Sequence, residues 1–118
     1  MPGLVGSLLQ FDLAMETNQL RQEDPWNTTS RNAKTLVKYA DLRIVLIVMK
    51  SGTRMEGHKA DGSISIQGLG GSLRLHLPNQ TVELPAGRLL TLARGLPHDV
   101  EAMEDSTFLL TISWPRGA

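Results

Sequence analysis

Short apolar runs separated by turn residues dominate the chain from residue 33 onward. Between Leu73 and Leu77 every second residue is leucine, while the residues between them are Arg74 and His76. Such alternation is typical of a strand with one face buried. Residues 42–50 are almost continuously apolar, so we expect that strand to be buried on both faces. Glycine and proline recur at short intervals after Gly52, which favours an all-β barrel or sandwich.

The same pattern predicts eight strands and the turns between them. The predicted strands are residues 33–39, 42–50, 64–69, 73–77, 81–84, 89–93, 98–103 and 107–113. Turn signals stand at Asp61-Gly62, at Gly70-Gly71 and at Pro78-Asn79, and the last of these predicts a tight hairpin.

The N-terminal segment has a different pattern, and two interpretations of it stay open. Apolar residues alternate at positions 9, 11, 13 and 15, which predicts a strand, whereas Leu4, Leu8 and Leu9 would also suit a short helix after Ser7. Residues 22–32 are polar and contain a proline, so we predict a loop. The chain is therefore divided into an N-terminal arm and loop (residues 1–32) and a β-barrel domain (residues 33–118).

Length and charge limit the classes of function. A chain of 118 residues with 41% apolar residues forms one domain with a true core. Twelve basic and twelve acidic residues cancel, and no basic cluster is present, so nucleic-acid binding is not expected. Zero net charge also weakens the repulsion between copies, which permits self-association.

The chain has no cysteine, which excludes disulfides, thiolate metal sites and cysteine nucleophiles. The longest apolar run, residues 44–49, is far too short to span a bilayer. The first ten residues lack the basic and apolar regions of a secretion signal. We therefore expect a cytoplasmic protein that is not bound to a membrane.

Two histidines framed by glycines carry the candidate chemistry. Gly52 is followed by five residues, then by His58-Lys59-Ala60, then by three residues, Ile64, six residues and Gly71. Further along, Gly87 is followed by five residues, Ala93-Arg94-Gly95, two residues and His98.

This spacing resembles the two motifs of the cupin superfamily. The first motif of that family is Gly, five residues, His-x-His, three or four residues, Glu, six residues and Gly. The second is Gly, five residues, Pro-x-Gly, two residues, His, three residues and Asn. The resemblance implies a single-domain, RmlC-like jelly-roll β-barrel. It also implies metal ligands at His58 and His98, whereas Ala60 and Ile64 stand where the family has its second histidine and its glutamate.

The period of a strand predicts which side chains share the interior. Residues two apart point to the same face, so Ala60 would accompany His58, Ile66 would accompany Ile64, and Val100 would accompany His98. We expect a ligand pocket formed by Ala60, Ile64, Ile66 and Val100 beside the two histidines. Glu56 has the parity of His58 and could approach the pocket mouth, although a solvated carboxylate is the simpler interpretation. His76 is out of phase with the leucines around it, so it should face outward.

Two imidazoles alone make an incomplete metal site, because catalytic zinc normally has three protein ligands. The alternatives are a weakly held divalent metal completed by water, and a metal-free pocket in which both histidines bind a small molecule through hydrogen bonds.

Three functions remain open at this stage. The first is a binding or sensing protein that takes a small molecule inside the barrel. The second is a metal-dependent enzyme, of dioxygenase or isomerase type, acting on a small polar substrate. The third is a structural dimer without catalytic activity. Because cupins commonly dimerise through their sheets, the resemblance also implies a homodimer, in which we expect residues before Asn32 to pack on the partner.

Overall fold

The chain folds into two facing antiparallel sheets preceded by a helical segment. The computed structural model describes residues 6–115. Leu4, which was named for the possible N-terminal helix, lies outside this range. The last three residues of the predicted β-barrel domain, 33–118, also lie outside it. Within it, the elements are α1 (Leu13–Gln22), α2 (Asp24–Thr28), β1 (Arg31–Lys38), β2 (Leu42–Met49), β3 (Arg54–His58), β4 (Ser63–Gly70), β5 (Ser72–His76), β6 (Thr81–Pro85), β7 (Leu89–Leu92), β8 (His98–Ala102) and β9 (Ser106–Ser113).

The strand order produces a jelly-roll barrel, as predicted. One sheet has the order β1-β2-β9-β4-β7 and the other has the order β3-β8-β5-β6. The predicted hairpin at Pro78-Asn79 joins β5 to β6, where the Leu77 N–H donates to the Gln80 carbonyl oxygen over 2.8 Å. All eight strands predicted from the sequence are present, with ends that shift by one or two residues.

The main core lies between the two sheets and is built from the inward positions of their strands. Leu75, Ile66, Met49 and Phe108 are at most 1% exposed. Leu73 and Leu75 are buried while Arg74 and His76 between them are not, which is the alternation that the sequence predicted. Large apolar side chains thus fill this core.

The N-terminal segment contains a helix, and the strand interpretation of positions 9–15 is wrong. The helix begins at Leu13 and not after Ser7, so Leu8 and Leu9 precede it. Helix α1 begins at Leu13 because Asp12 caps it, with the Asp12 carboxylate accepting from the Met15 N–H over 3.1 Å. Met15 is 60% exposed on that helix. The loop predicted for residues 22–32 is also wrong in part, since α2 forms with a proline in its first turn and β1 begins at Arg31.

This segment packs on the chain's own barrel. Leu20 is 3% exposed and joins a second apolar cluster with Leu36, Leu46 and Val48 on the outer face of the five-stranded sheet. Leu9, Phe11, Leu13 and Trp26 pack against the same cluster. This cover explains why β2 is buried on both faces, as its continuous apolar sequence predicted. It also shows that the segment has a place within the monomer.

None of the helices in residues 6–115 is long and apolar enough to cross a membrane.

Candidate functional site

The two histidines of the motifs lie side by side on the inner face of the four-stranded sheet. His58 is the last residue of β3, His98 is the first residue of β8, and the two are direct partners in the antiparallel register. Their ring centroids are 6.3 Å apart, with the ring planes inclined by 34°. The structure therefore brings together the two positions that the spacing singled out.

Both rings line a cavity inside the barrel. Its volume is about 100 Å³. All six site residues proposed from the sequence contribute to its wall: His58, Ala60, Ile64, Ile66, His98 and Val100. The remaining wall residues are Ile47, Met55, Lys59, Phe108, Leu110 and Ile112. Most of this surface is hydrocarbon, so the cavity favours an apolar occupant, with the imidazoles as its main polar groups.

A β-bulge in β3 determines how His58 enters this cavity. The register of β3 against β8 shifts between Met55 and His58, and Gly57 has a φ of 70°. Because a bulge adds a residue to one strand, Met55 and His58 both face the interior although they are three apart. Glu56 is exposed and does not line the cavity. Its parity with His58 allowed it to approach the mouth of the cavity, but the structure does not place it there.

Asp99 holds the bulge in place, a role that the sequence analysis missed. Its carboxylate accepts from the Gly57 N–H over 2.7 Å and forms an ion pair with Arg54 at 2.9 Å. These two contacts, the Gly57 hydrogen bond first, lower the pKa of Asp99. The signal available in the sequence was Gly57 itself, because an isolated glycine within a strand often marks a bulge.

Ala60 reaches the cavity from a loop and not from a strand. β3 ends at His58, so Ala60 is not part of the strand. The prediction that Ala60 and His58 share one face of a strand is therefore wrong. The Ala60 carbonyl oxygen instead accepts from the Gly95 N–H over 2.8 Å, which ties the β3–β4 loop to the β7–β8 loop.

Hydrogen bonding orients His98. The side chain is 7% exposed, and its Nδ1 lies 3.1 Å from the Leu96 carbonyl oxygen. Because a carbonyl oxygen can only accept, Nδ1 must carry a proton, and the neutral ring then has its lone pair on Nε2.

His58 is the more accessible of the two rings and prefers to be neutral. Partial burial lowers its pKa, and the nearby His98 and Arg31 lower it further, while Asp99 has a smaller opposite effect. A neutral imidazole can both donate and accept a hydrogen bond. The pair therefore suits a ligand that has one polar group next to hydrocarbon.

The residues present do not fit a tightly held metal ion. Across residues 6–115, no three histidine, aspartate or glutamate side chains lie close enough together to bind one ion. A tetrahedral ion at 2.0–2.1 Å from each nitrogen would bring two imidazole centroids to about 5 Å, closer than the observed rings. Ala60 and the 6% exposed Ile64 supply no ligand atom to the cavity.

His76 lies away from the cavity, as its position among the leucines predicted. Its Nε2 lies 2.8 Å from a carboxylate oxygen of Glu101 on the neighbouring strand β8. It contributes to the outer surface of the four-stranded sheet.

Comparison with known proteins shows similarity of structure only. No protein-family model matches the chain, and no curated protein matches its sequence. A conserved protein of unknown function from Streptococcus pyogenes is similar over 98% of this chain and 95% of its own length, with a TM-score of 0.74 and 21% identity. A cupin superfamily protein from Desulfitobacterium hafniense is similar over 72% of this chain and 78% of its own, with a TM-score of 0.70 and 14% identity.

An enzyme is among the structures with this fold. A variant of salicylate 1,2-dioxygenase from Pseudoaminobacter salicylatoxidans is similar over 94% of this chain but only 37% of its own, with a TM-score of 0.78 and 14% identity. At identities this low, the similarities establish a shared fold, and a fold alone does not determine an activity.

Proposed function

We propose that this chain, which has the fold of the cupins, binds a small, largely apolar molecule inside its barrel. The observation that carries the proposal is the cavity of about 100 Å³, whose wall is hydrocarbon apart from Lys59 and a pair of imidazoles. Buried apolar surface supplies the affinity in such sites, while a few polar groups determine the orientation of the ligand. For a neutral ligand, His58 and His98 are the groups that we assign to orientation.

The size of the cavity limits the ligand. An apolar cavity of about 150 Å³ accommodates benzene, which has six carbon atoms, so a cavity of about 100 Å³ accommodates roughly four. Burying four methylene-sized groups gives about 3 kcal/mol of favourable transfer free energy, which corresponds to millimolar binding for the hydrocarbon part alone.

Metal-dependent catalysis, the second hypothesis from the sequence, has less support. A divalent ion would have at most two histidine or carboxylate side chains as ligands among the described residues, and we therefore propose that any binding of metal is weak. No reaction step through a metal follows from this arrangement.

We also propose that the chain forms a homodimer in the cytoplasm. The two sheets end in open edges at β1, β7, β3 and β6, and Leu89 on β7 is 63% exposed. Because the N-terminal segment covers its own sheet, an open edge is the more suitable contact surface.

The ligand proposal is tested by filling the cavity. Ala60→Leu adds three carbon atoms to the wall, and Ala33→Leu is the matched control, because Ala33 is exposed on β1. Binding of 1-butanol is followed by ¹H–¹⁵N chemical-shift changes. We expect saturable binding by the wild type and by Ala33→Leu, and loss of binding by Ala60→Leu. Equal binding by all three proteins would place the site elsewhere, and no binding by any of them would refute the proposal.

A further inference from the structure

A wider hollow with its own chemistry adjoins the cavity. The hollow has a volume of about 550 Å³ and shares three wall residues with the cavity: Lys59, Ala60 and Ile112. Its other wall residues are Asp61, Arg94, Gly95 and Trp114. A molecule longer than about four carbon atoms exceeds the cavity, and this hollow is the adjoining space that shares part of its wall.

Two cations border the hollow. Lys59 is carried by the β3–β4 loop and Arg94 by the β7–β8 loop, and the hydrogen bond from Gly95 to the Ala60 carbonyl oxygen joins the two loops. Both side chains are exposed, and neither forms an ion pair within residues 6–115. Their positive charges are therefore available to a ligand.

The single carboxylate in the wall is already engaged. Asp61 Oδ1 accepts a hydrogen bond from the Trp114 indole N–H over 2.6 Å. The Trp114 ring also has the Arg43 guanidinium 5.6 Å from its centroid, which adds a third cation next to the hollow. The charged wall residues, Lys59, Arg94 and Asp61, sum to one net positive charge.

We infer that the ligand of this barrel is an amphipathic carboxylate, with a short hydrocarbon tail in the cavity and its anionic group between Lys59 and Arg94. This inference rests on the proposed function, because it requires that the cavity hold the tail. The apolar wall excludes the charged group from the interior, since burial of an unpaired carboxylate is very costly. The cations of the hollow then provide a position for it next to solvent.

The test compares two ligands of the same shape. Pentanoate has a four-carbon tail and a carboxylate, whereas pentanamide has the same tail and a neutral amide. Exposed ion pairs contribute about 0.2–1 kcal/mol each, so two of them at the middle of that range predict that pentanoate binds roughly eightfold more tightly at low salt. Titrations of the wild type are followed by NMR in a buffer without carboxylate or phosphate.

Charge removal then locates the effect. In Lys59→Gln/Arg94→Gln we expect the preference for pentanoate over pentanamide to fall below about twofold. The control Lys50→Gln/Arg88→Gln removes the same charge from two residues that line neither the cavity nor the hollow, and it should retain the full preference.

Each outcome decides between the two proposals. Equal affinity of the wild type for pentanoate and pentanamide would overturn the carboxylate inference and leave the cavity as a binding site. The same preference in both double variants would also overturn it, because the charges of the hollow would then have no specific part. If neither compound binds to any variant, the proposed function fails together with the inference.

Discussion

Substitution of three glycines by alanine can separate two costs in this barrel: the cost of an unfavourable backbone conformation and the cost of a steric clash with the added methyl group. Gly71 lies between β4 and β5, where the chain passes from one sheet to the other, and has a φ of 75°. A Cβ at this position would overlap the Asp105 carbonyl oxygen and would lie 2.8 Å from the Ser106 Cα. Gly71→Ala therefore combines an unfavourable backbone conformation with a collision against backbone atoms.

Two matched variants each isolate one of these effects. Gly87 has a φ of 89° with nothing within 4 Å of its Cβ position, so Gly87→Ala has only the conformational cost, about 1–2 kcal/mol. Gly62 does not have a positive φ, but its Cβ would overlap the Ser113 carbonyl oxygen, so Gly62→Ala has only the steric cost, about 1–3 kcal/mol. The loss for Gly71→Ala should be near their sum, about 2–5 kcal/mol.

Urea unfolding followed by circular dichroism measures these losses, with the slope of the transition checked for constancy. A domain of this size has about 5–15 kcal/mol of stability, so the loss for Gly71→Ala should be large and measurable. If Gly71→Ala and Gly87→Ala were equally stable, the corner between the sheets would yield to the added methyl group, and the steric argument would be refuted.

Three further predictions concern the site and the assembly. Ala60→His/Ile64→Glu should raise the affinity for nickel, manganese or iron by orders of magnitude over the wild type in calorimetric titrations, because it adds two ligand atoms to the cavity wall; equal affinities would show that metal binds elsewhere. Since the pKa of His58 is lowered in the folded state, the unfolded state binds its proton more readily, and stability should fall as the pH drops below about 6.5. This pH dependence should be weaker in His58→Gln, and an unchanged slope would contradict the assignment. Light scattering at micromolar concentration should report a homodimer, and a monomer would refute that proposal.

The strands could be predicted because their burial follows a period of two. In β5 and β6 the alternation of leucine or valine with polar residues matches the alternation of more buried and less buried positions. β2 could be predicted from its continuous apolar run, although the sequence did not indicate what covers its outer face. Helix α1 covers that face, and its position depends on the packing of Leu20 in the same cluster as Leu46, which local patterns do not reveal.

The parts of the site that were missed depend on departures from regular geometry. A strict period of two from His58 assigns Glu56 to the interior, but the bulge at Gly57 places Met55 there instead.

The alternation at positions 9–15 was compatible with a strand and also with an extended segment that runs into a capped helix. Only the cap at Asp12 distinguishes the two, and it depends on a hydrogen bond to the Met15 N–H.

The measurement that tests the central claim most directly is the location of a bound four-carbon probe by intermolecular nuclear Overhauser effects. With 1-butanol and methyl-labelled protein, the account predicts contacts from the probe to the methyl groups of Ile64, Ile66 and Val100, which line the cavity beside His98. Contacts confined to Leu13 and Leu69, which line a groove between α1 and the outer face of the sheet, would contradict it.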